Sequence, residues 1–182
     1  MNKINFKDRR TAVIITAILI VVSFAGGGAR SLNALKSSAS GVFINGANGD
    51  GMGIRRELDR RVEYSRNLLT IAERYISGDD AAVRLDNAAN ALAGSKNIAG
   101  QSKTNRELTE AAAALYDRLE TEELSETDAR LRESVFADLK ARNNIILNDK
   151  YNEAAWAYNR KLNAFPASLI KTLRLASELP LF

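Results

Sequence analysis

Two Tyr-Asn pairs stand seven residues apart in this chain, at Tyr151-Asn152 and Tyr158-Asn159. Seven residues is close to two helical turns, so Asn152 and Asn159 lie on one side of a helix. Their chemistry is hydrogen bonding, either to neighbouring backbone or to a bound partner. A second polar group is the arginine cluster Arg55, Arg56, Arg60, Arg61 and Arg66. Arg55 and Asp59, like Glu57 and Arg61, are opposite charges four residues apart, which reads as a solvated helix face neutralised by its own carboxylates. The alternative is that Arg55, Arg56, Arg60 and Arg61, with Lys171 and Arg174 near the end of the sequence, contact anionic lipid headgroups.

Reaction chemistry is narrowly bounded. The 182 residues contain no histidine and no cysteine, so a histidine base, thiolate chemistry, disulfides and the usual zinc sites are excluded. A di-metal centre built from Glu-x-x-His pairs is excluded for the same reason. Asn48-Gly-Asp50-Gly resembles the start of a calcium loop, but Met52 and Gly53 stand where further ligands should follow. Gly100-Gln-Ser-Lys103-Thr104 lacks the glycine before lysine that a phosphate loop requires, and no nucleophile-elbow or Ser-x-x-Lys motif occurs. No catalytic residue, metal or cofactor is expected. The net charge of +4 is unevenly spread: residues 1–40 hold six basic groups against one acidic, leaving 20 basic and 21 acidic beyond. Without a concentrated basic excess in the remainder, nucleic-acid binding is not expected.

The elements that would position these groups read as all helical. Tyr151, Ala155, Tyr158, Leu162 and Phe165 are spaced four, three, four and three, a single helical stripe that needs a cover, and Pro166 should end its helix. Thr11 to Ala29 is 19 residues without a charge behind Lys7, Arg9 and Arg10, which predicts one N-terminal transmembrane helix. A retained anchor is the expectation, with the N-terminus cytoplasmic and the remainder outside the cell. A cleaved signal peptide is the alternative, since Gly27 and Ala29 also fit processing. Residues 30–53 read as a stalk and a glycine-rich flexible linker with Asp50 near the next cap.

An antiparallel four-helix bundle is then expected over 54–166. Ile54, Leu58, Val62, Leu69, Ala72 and Ile76 keep helical spacing in the first helix, which Gly78 stops. Val83, Leu85, Ala88, Ala89 and Leu92 form the second, ended by the stretch Gly94 to Gly100. A capping box at Thr104 and Glu107 opens the third, with Leu108, Ala111, Ala112, Leu115 and Leu119 on its face. Ser125 opens the fourth, through Leu131, Val135, Leu139, Ile145 and Ile146. Unbroken from Ser125 to Phe165 it would be about 60 Å long, outrunning the bundle to pack on Leu32, Leu35, Val42 and Phe43 of the stalk; a break near Asn148-Asp149 is the other course. The apolar tail 167–182 either lies in a membrane interface or folds back on the bundle.

These residues resemble the LemA family of bacterial membrane-anchored helical-bundle proteins. The match is best at Tyr151-Asn152, Tyr158-Asn159, Leu162 and Phe165-Pro166, with Ala155 where the family has valine, and is looser at Leu58-Asp-Arg-Arg61 through Asn67-Leu68-Leu69 to Tyr75. The resemblance implies membrane anchorage and a four-helix bundle, and it brings no catalytic role. The expectation is a membrane-anchored, non-catalytic interaction or scaffold protein that meets the lipid bilayer and either a protein partner or another copy of itself. A lipid-contacting envelope sensor is the alternative, and an enzyme of unknown class the remote one.

Overall fold

The apolar spacings become seven helices in the described residues of the computed structural model, which cover 9–165, 167–172 and 174–182. In chain order they are α1 (Arg9–Asn45), α2 (Ile54–Tyr75), α3 (Asp80–Gly94), α4 (Ile98–Glu120), α5 (Glu126–Leu147), α6 (Lys150–Asn163) and α7 (Ala167–Thr172), and no strand occurs among the described residues. Side chains are described from Ala29 onward and, before it, only at Val13 and Thr16.

Helices α2 to α5 form an antiparallel bundle in which α2 is the hub, touching α3, α4 and α5. That is why α2 buries more than one stripe: Leu68 and Ile71 join Leu58, Val62 and Ala72 in the core, and Glu57, Arg61 and Ser65 are buried with them. Each completely covered leucine contributes roughly 1.5–3 kcal/mol. Chain reversals follow side-chain chemistry. Gly78 takes φ +79, a conformation glycine adopts without strain, and the Asp79 carboxylate accepts from the Ala81 N–H at 2.8 Å to open α3. Asn97 caps α4 through the Gly100 N–H at 2.8 Å, so α4 starts six residues before the expected Thr104 box, and Thr104 instead donates to the Gly100 carbonyl within the helix.

A second layer packs against the bundle. Residues 29–45 of α1 lie along α6 and α7, where Leu32, Ala39 and Phe43 are buried against Tyr151, Ala155, Tyr158 and Leu162. The α5 helix stops at Leu147, and Asp149 restarts the chain as the cap of α6 by accepting from the Tyr151 N–H at 2.7 Å. A break and packing on the α1 stretch therefore occur together. The glycine-rich stretch 46–53 is ordered, not a loose linker. Gly46, Gly49 and Gly51 take positive φ, Gly51 N–H donates to the Asn45 carbonyl at 2.8 Å, and Asp50 accepts from the Met52 N–H at 2.9 Å, while Gly53 is the α2 cap residue.

The expected membrane span is corrected here. Among the described residues no helix is long and apolar enough to cross a membrane. Thr11 to Ala29 is not a self-contained rod: it continues through Arg30 and Lys36 into one helix of 37 residues, whose described half buries its apolar face against protein. Apart from Val13, Thr16 and Ala29, the side chains of that stretch lie outside the described residues, as does the basic start 1–8. The orientation and headgroup contacts read from the sequence rested on this span.

Polar contacts fix α2 to α5 at both ends. Asp128 accepts from Arg74 at 2.7 Å, the Tyr75 hydroxyl at 2.7 Å and the Ser125 hydroxyl at 3.1 Å; at the opposite end Arg142 donates to Glu57 at 3.2 Å. Glu57 is therefore used across helices and not by Arg61 one turn on. The Tyr75 hydroxyl first, then Ser125 and Arg74, hold the Asp128 carboxyl below its ordinary value of 3.8, against an opposing effect of desolvation. A carboxylate with a depressed folded pKa stabilises above the unfolded value, and that stability is lost as the pH falls through the folded one. Asp128→Asn should lower stability at neutral pH and narrow the difference between neutral pH and about pH 3, as read by urea denaturation at both.

Candidate functional site

The stripe read from the sequence is largely the inner face of α6. Tyr151, Ala155, Tyr158 and Leu162 are at most 1% exposed, whereas Trp156 on the outer side is 55% exposed under Arg160, whose guanidinium carbon stands 4.9 Å from the ring centre. Phe165 departs from the expectation at 80% exposed, because α6 ends at Asn163 and the helical register that would have turned Phe165 inward ends with it. Pro166 lies outside the described residues.

What covers this face beside α1 is the closing segment of the chain. After α7 residues 176–182 run in extended form, antiparallel to α6, and the two Tyr-Asn pairs hold them. The Tyr158 hydroxyl donates to the Ser177 carbonyl at 3.1 Å and the Tyr151 hydroxyl to the Pro180 carbonyl at 2.9 Å. Asn159 uses its whole amide: its nitrogen donates to the Leu179 carbonyl at 2.7 Å and its oxygen accepts from the Leu179 N–H at 2.7 Å. Asn152 accepts from the Phe182 N–H at 3.0 Å, and the Ser102 hydroxyl of α4 donates to the Leu181 carbonyl at 2.9 Å. The Phe182 ring completes an aromatic cluster, 5.9 Å from Phe43 and 6.0 Å from Tyr151.

Asn159 thus does what a neighbouring strand does, offering donor and acceptor to an extended main chain, while Asn152, two helical turns earlier, offers it an acceptor and turns its own N–H to the Leu147 carbonyl at 3.1 Å. Burial pushes the Tyr151 hydroxyl up to about 12 and raises that of Tyr158, so both are neutral donors at physiological pH. The arrangement holds the main chain of residues 177–182 against α6. Among the described residues no cluster of acidic side chains is placed to hold a metal ion.

The basic residues read as headgroup contacts differ in their surroundings. Arg55 and Arg56 are exposed, Arg60 pairs with Glu63 at 2.8 Å, and Lys171 is engaged by Glu178 and Asn163. Arg174 is exposed, at φ +58. Arg61 must be corrected: it is 1% exposed, in the centre of the bundle, and reaches no lipid. No family model, curated protein or solved structure matches the chain. The LemA resemblance rests on the residues that carry it.

Two features escaped sequence reasoning. The segment 176–182 has no helical or alternating pattern of its own, and its place is set by side chains on α6. The Arg61 environment did leave a signal: Arg61 sits in register with Leu58, Ser65, Leu68 and Ala72, and Asn105 in register with Leu108, Ala112 and Leu115. Each is a polar residue at a core position.

Proposed function

We propose that the protein is a non-catalytic helical scaffold acting through protein contact, with the inner face of α6 as its recognition surface. The observation that carries this reading is the two-way pairing of Asn159 with the main chain of Leu179. Main-chain pairing accepts many sequences, and the aromatic cluster around Phe182 adds the preference for an apolar side chain at one position. Its partner is a second copy of this chain, which carries the same segment by definition. Arg174 supports exchange: it is a non-glycine residue held at φ +58 at the joint between α7 and the segment, and release relieves that strain.

The test is a labelled peptide of sequence LASELPLF, residues 175–182, added to the full chain. Leu179→Ala weakens the chain's own segment and leaves the face intact, so peptide binding should rise about tenfold, the equivalent of roughly 1.4 kcal/mol. Asn159→Ala should abolish it. If Leu179→Ala frees the Phe182 amide to exchange with solvent and the peptide still does not bind, the reading fails.

A further inference from the structure

Arg61 carries a charge at the bundle centre that no carboxylate among the described residues answers. Its Nη1 donates to the side-chain oxygens of Asn105 and, at 2.8 Å, Asn143, and its Nη2 to the Thr109 hydroxyl at 2.8 Å. All three acceptors are neutral, Nε has no acceptor, and no ion pair to Arg61 occurs among the described residues. The carboxylate one turn away, Glu57, is committed to Arg142 at 3.2 Å. A buried cation is costly unless an opposite charge approaches it, and desolvation has already pulled this guanidinium down to about 10.

Above Arg61 the helices α4 and α5 stand apart over a cavity of about 250 Å3. Its floor includes Arg61 and Leu139, its wall Phe136, and its rim Thr109 and Lys140. The Lys140 ammonium sits 5.2 Å from the Phe136 ring centre. The Asn143 oxygen is occupied twice, by Arg61 and by the Asn105 amide at 3.2 Å, which leaves its own N–H groups as donors; the Thr109 hydroxyl proton goes to the Asn105 carbonyl at 2.9 Å. Apart from Asn144, whose amide offers both an acceptor and donors, the polar side chains that remain uncommitted at the cavity are therefore donors beside two positive charges, facing an apolar wall.

We infer that this cleft between α4 and α5 is a receptor for a small organic carboxylate, the carboxylate held by Arg61, Lys140 and Asn143 and the apolar body lying against Phe136 and Leu139. A guanidinium matches a carboxylate edge to edge with two parallel hydrogen bonds. The apolar wall gives an organic anion an advantage over an inorganic one, whose entire surface is better left in water. The site is independent of the α6 face, and neither stands or falls with the other.

Benzoate is the probe, titrated into the full chain and followed by the amide resonances of Thr109, Asn143 and Leu139. Saturable shifts confined to this cleft are expected, with benzamide, the uncharged isostere, binding at least about tenfold more weakly. Lys140→Ala, at an exposed position that leaves the fold intact, should weaken benzoate severalfold. Arg61→Met should remove binding, its folding checked by the same spectrum. The assignment is refuted by any of three results: no shift at millimolar benzoate, equal affinity for benzamide, or inorganic phosphate binding more tightly than benzoate.

Discussion

Ala155→Asp unfolds the layer made by α1, α6 and α7 and leaves the α2–α5 bundle folded. Ala155 has no solvent exposure and lies between Tyr151 and Tyr158 on the face of α6 that meets α1. A carboxylate there is stripped of water and given no partner, a cost of about 3 kcal/mol or more. The loss stays local because α6 is a helix distinct from α5, restarted at Asp149 after the break at Asn148, and because the hub of the bundle is α2. Hydrogen exchange is the measurement. Segments 30–45 and 150–163 should lose protection while α2 and α4 retain theirs. Trp156→Asp, one residue along on the exposed side, should cost under about 1 kcal/mol. A melting temperature unchanged by Ala155→Asp would remove the α1/α6 packing from the fold.

How far the sequence disclosed this arrangement depends on what kind of signal each part leaves. Periodicity located faces well: Leu85, Ala89 and Leu92 on α3 and Leu108, Ala112, Leu115 and Leu119 on α4 are buried where spacing put them. It erred at Leu131, 41% exposed inside α5, and where helices end. Val83 and Ile145 sit near helix ends and are 49% and 45% exposed, since a face is covered only as far as its neighbour extends. Glycine misled twice in the same way. Gly100 lies in the first turn of α4 under the Asn97 cap, and Gly41 lies inside α1, so a residue that permits a turn did not make one. The uncharged run 11–29 signalled a span because composition alone cannot say that a helix continues for another sixteen residues and packs on protein. The Tyr-Asn pairs were legible as hydrogen-bonding groups, but their partner was not, because an extended segment with no period of its own announces nothing. The buried position of Arg61 was legible only as a polar residue in a core register.

The joint between the two layers carries the second large effect, and it is at Gly53. Its φ of −78 is one any residue adopts, so backbone freedom is not why glycine is there. A Cβ at Gly53 would run into the Phe43 carbonyl oxygen, with the Val42 oxygen at 2.7 Å and the Gly46 nitrogen at 2.8 Å. These are backbone atoms of the last turn of α1 and of the residue just past it, and they cannot rotate away as a side chain would. One methyl group must therefore push the end of α1 off the start of α2, at a cost of about 2–3 kcal/mol. Gly49→Ala is the contrast: φ is +71 but the space is open, so only the left-handed conformation is penalised, by about 1 kcal/mol. A flexible glycine linker would give the opposite order of signs, because alanine in a loose segment restricts the unfolded chain and stabilises by a few tenths of a kcal/mol. Urea denaturation of the two variants separates these cases. Gly53→Ala should be the more damaging, and a neutral or stabilised Gly53→Ala would mean that the two layers are joined by a tether and not by contact.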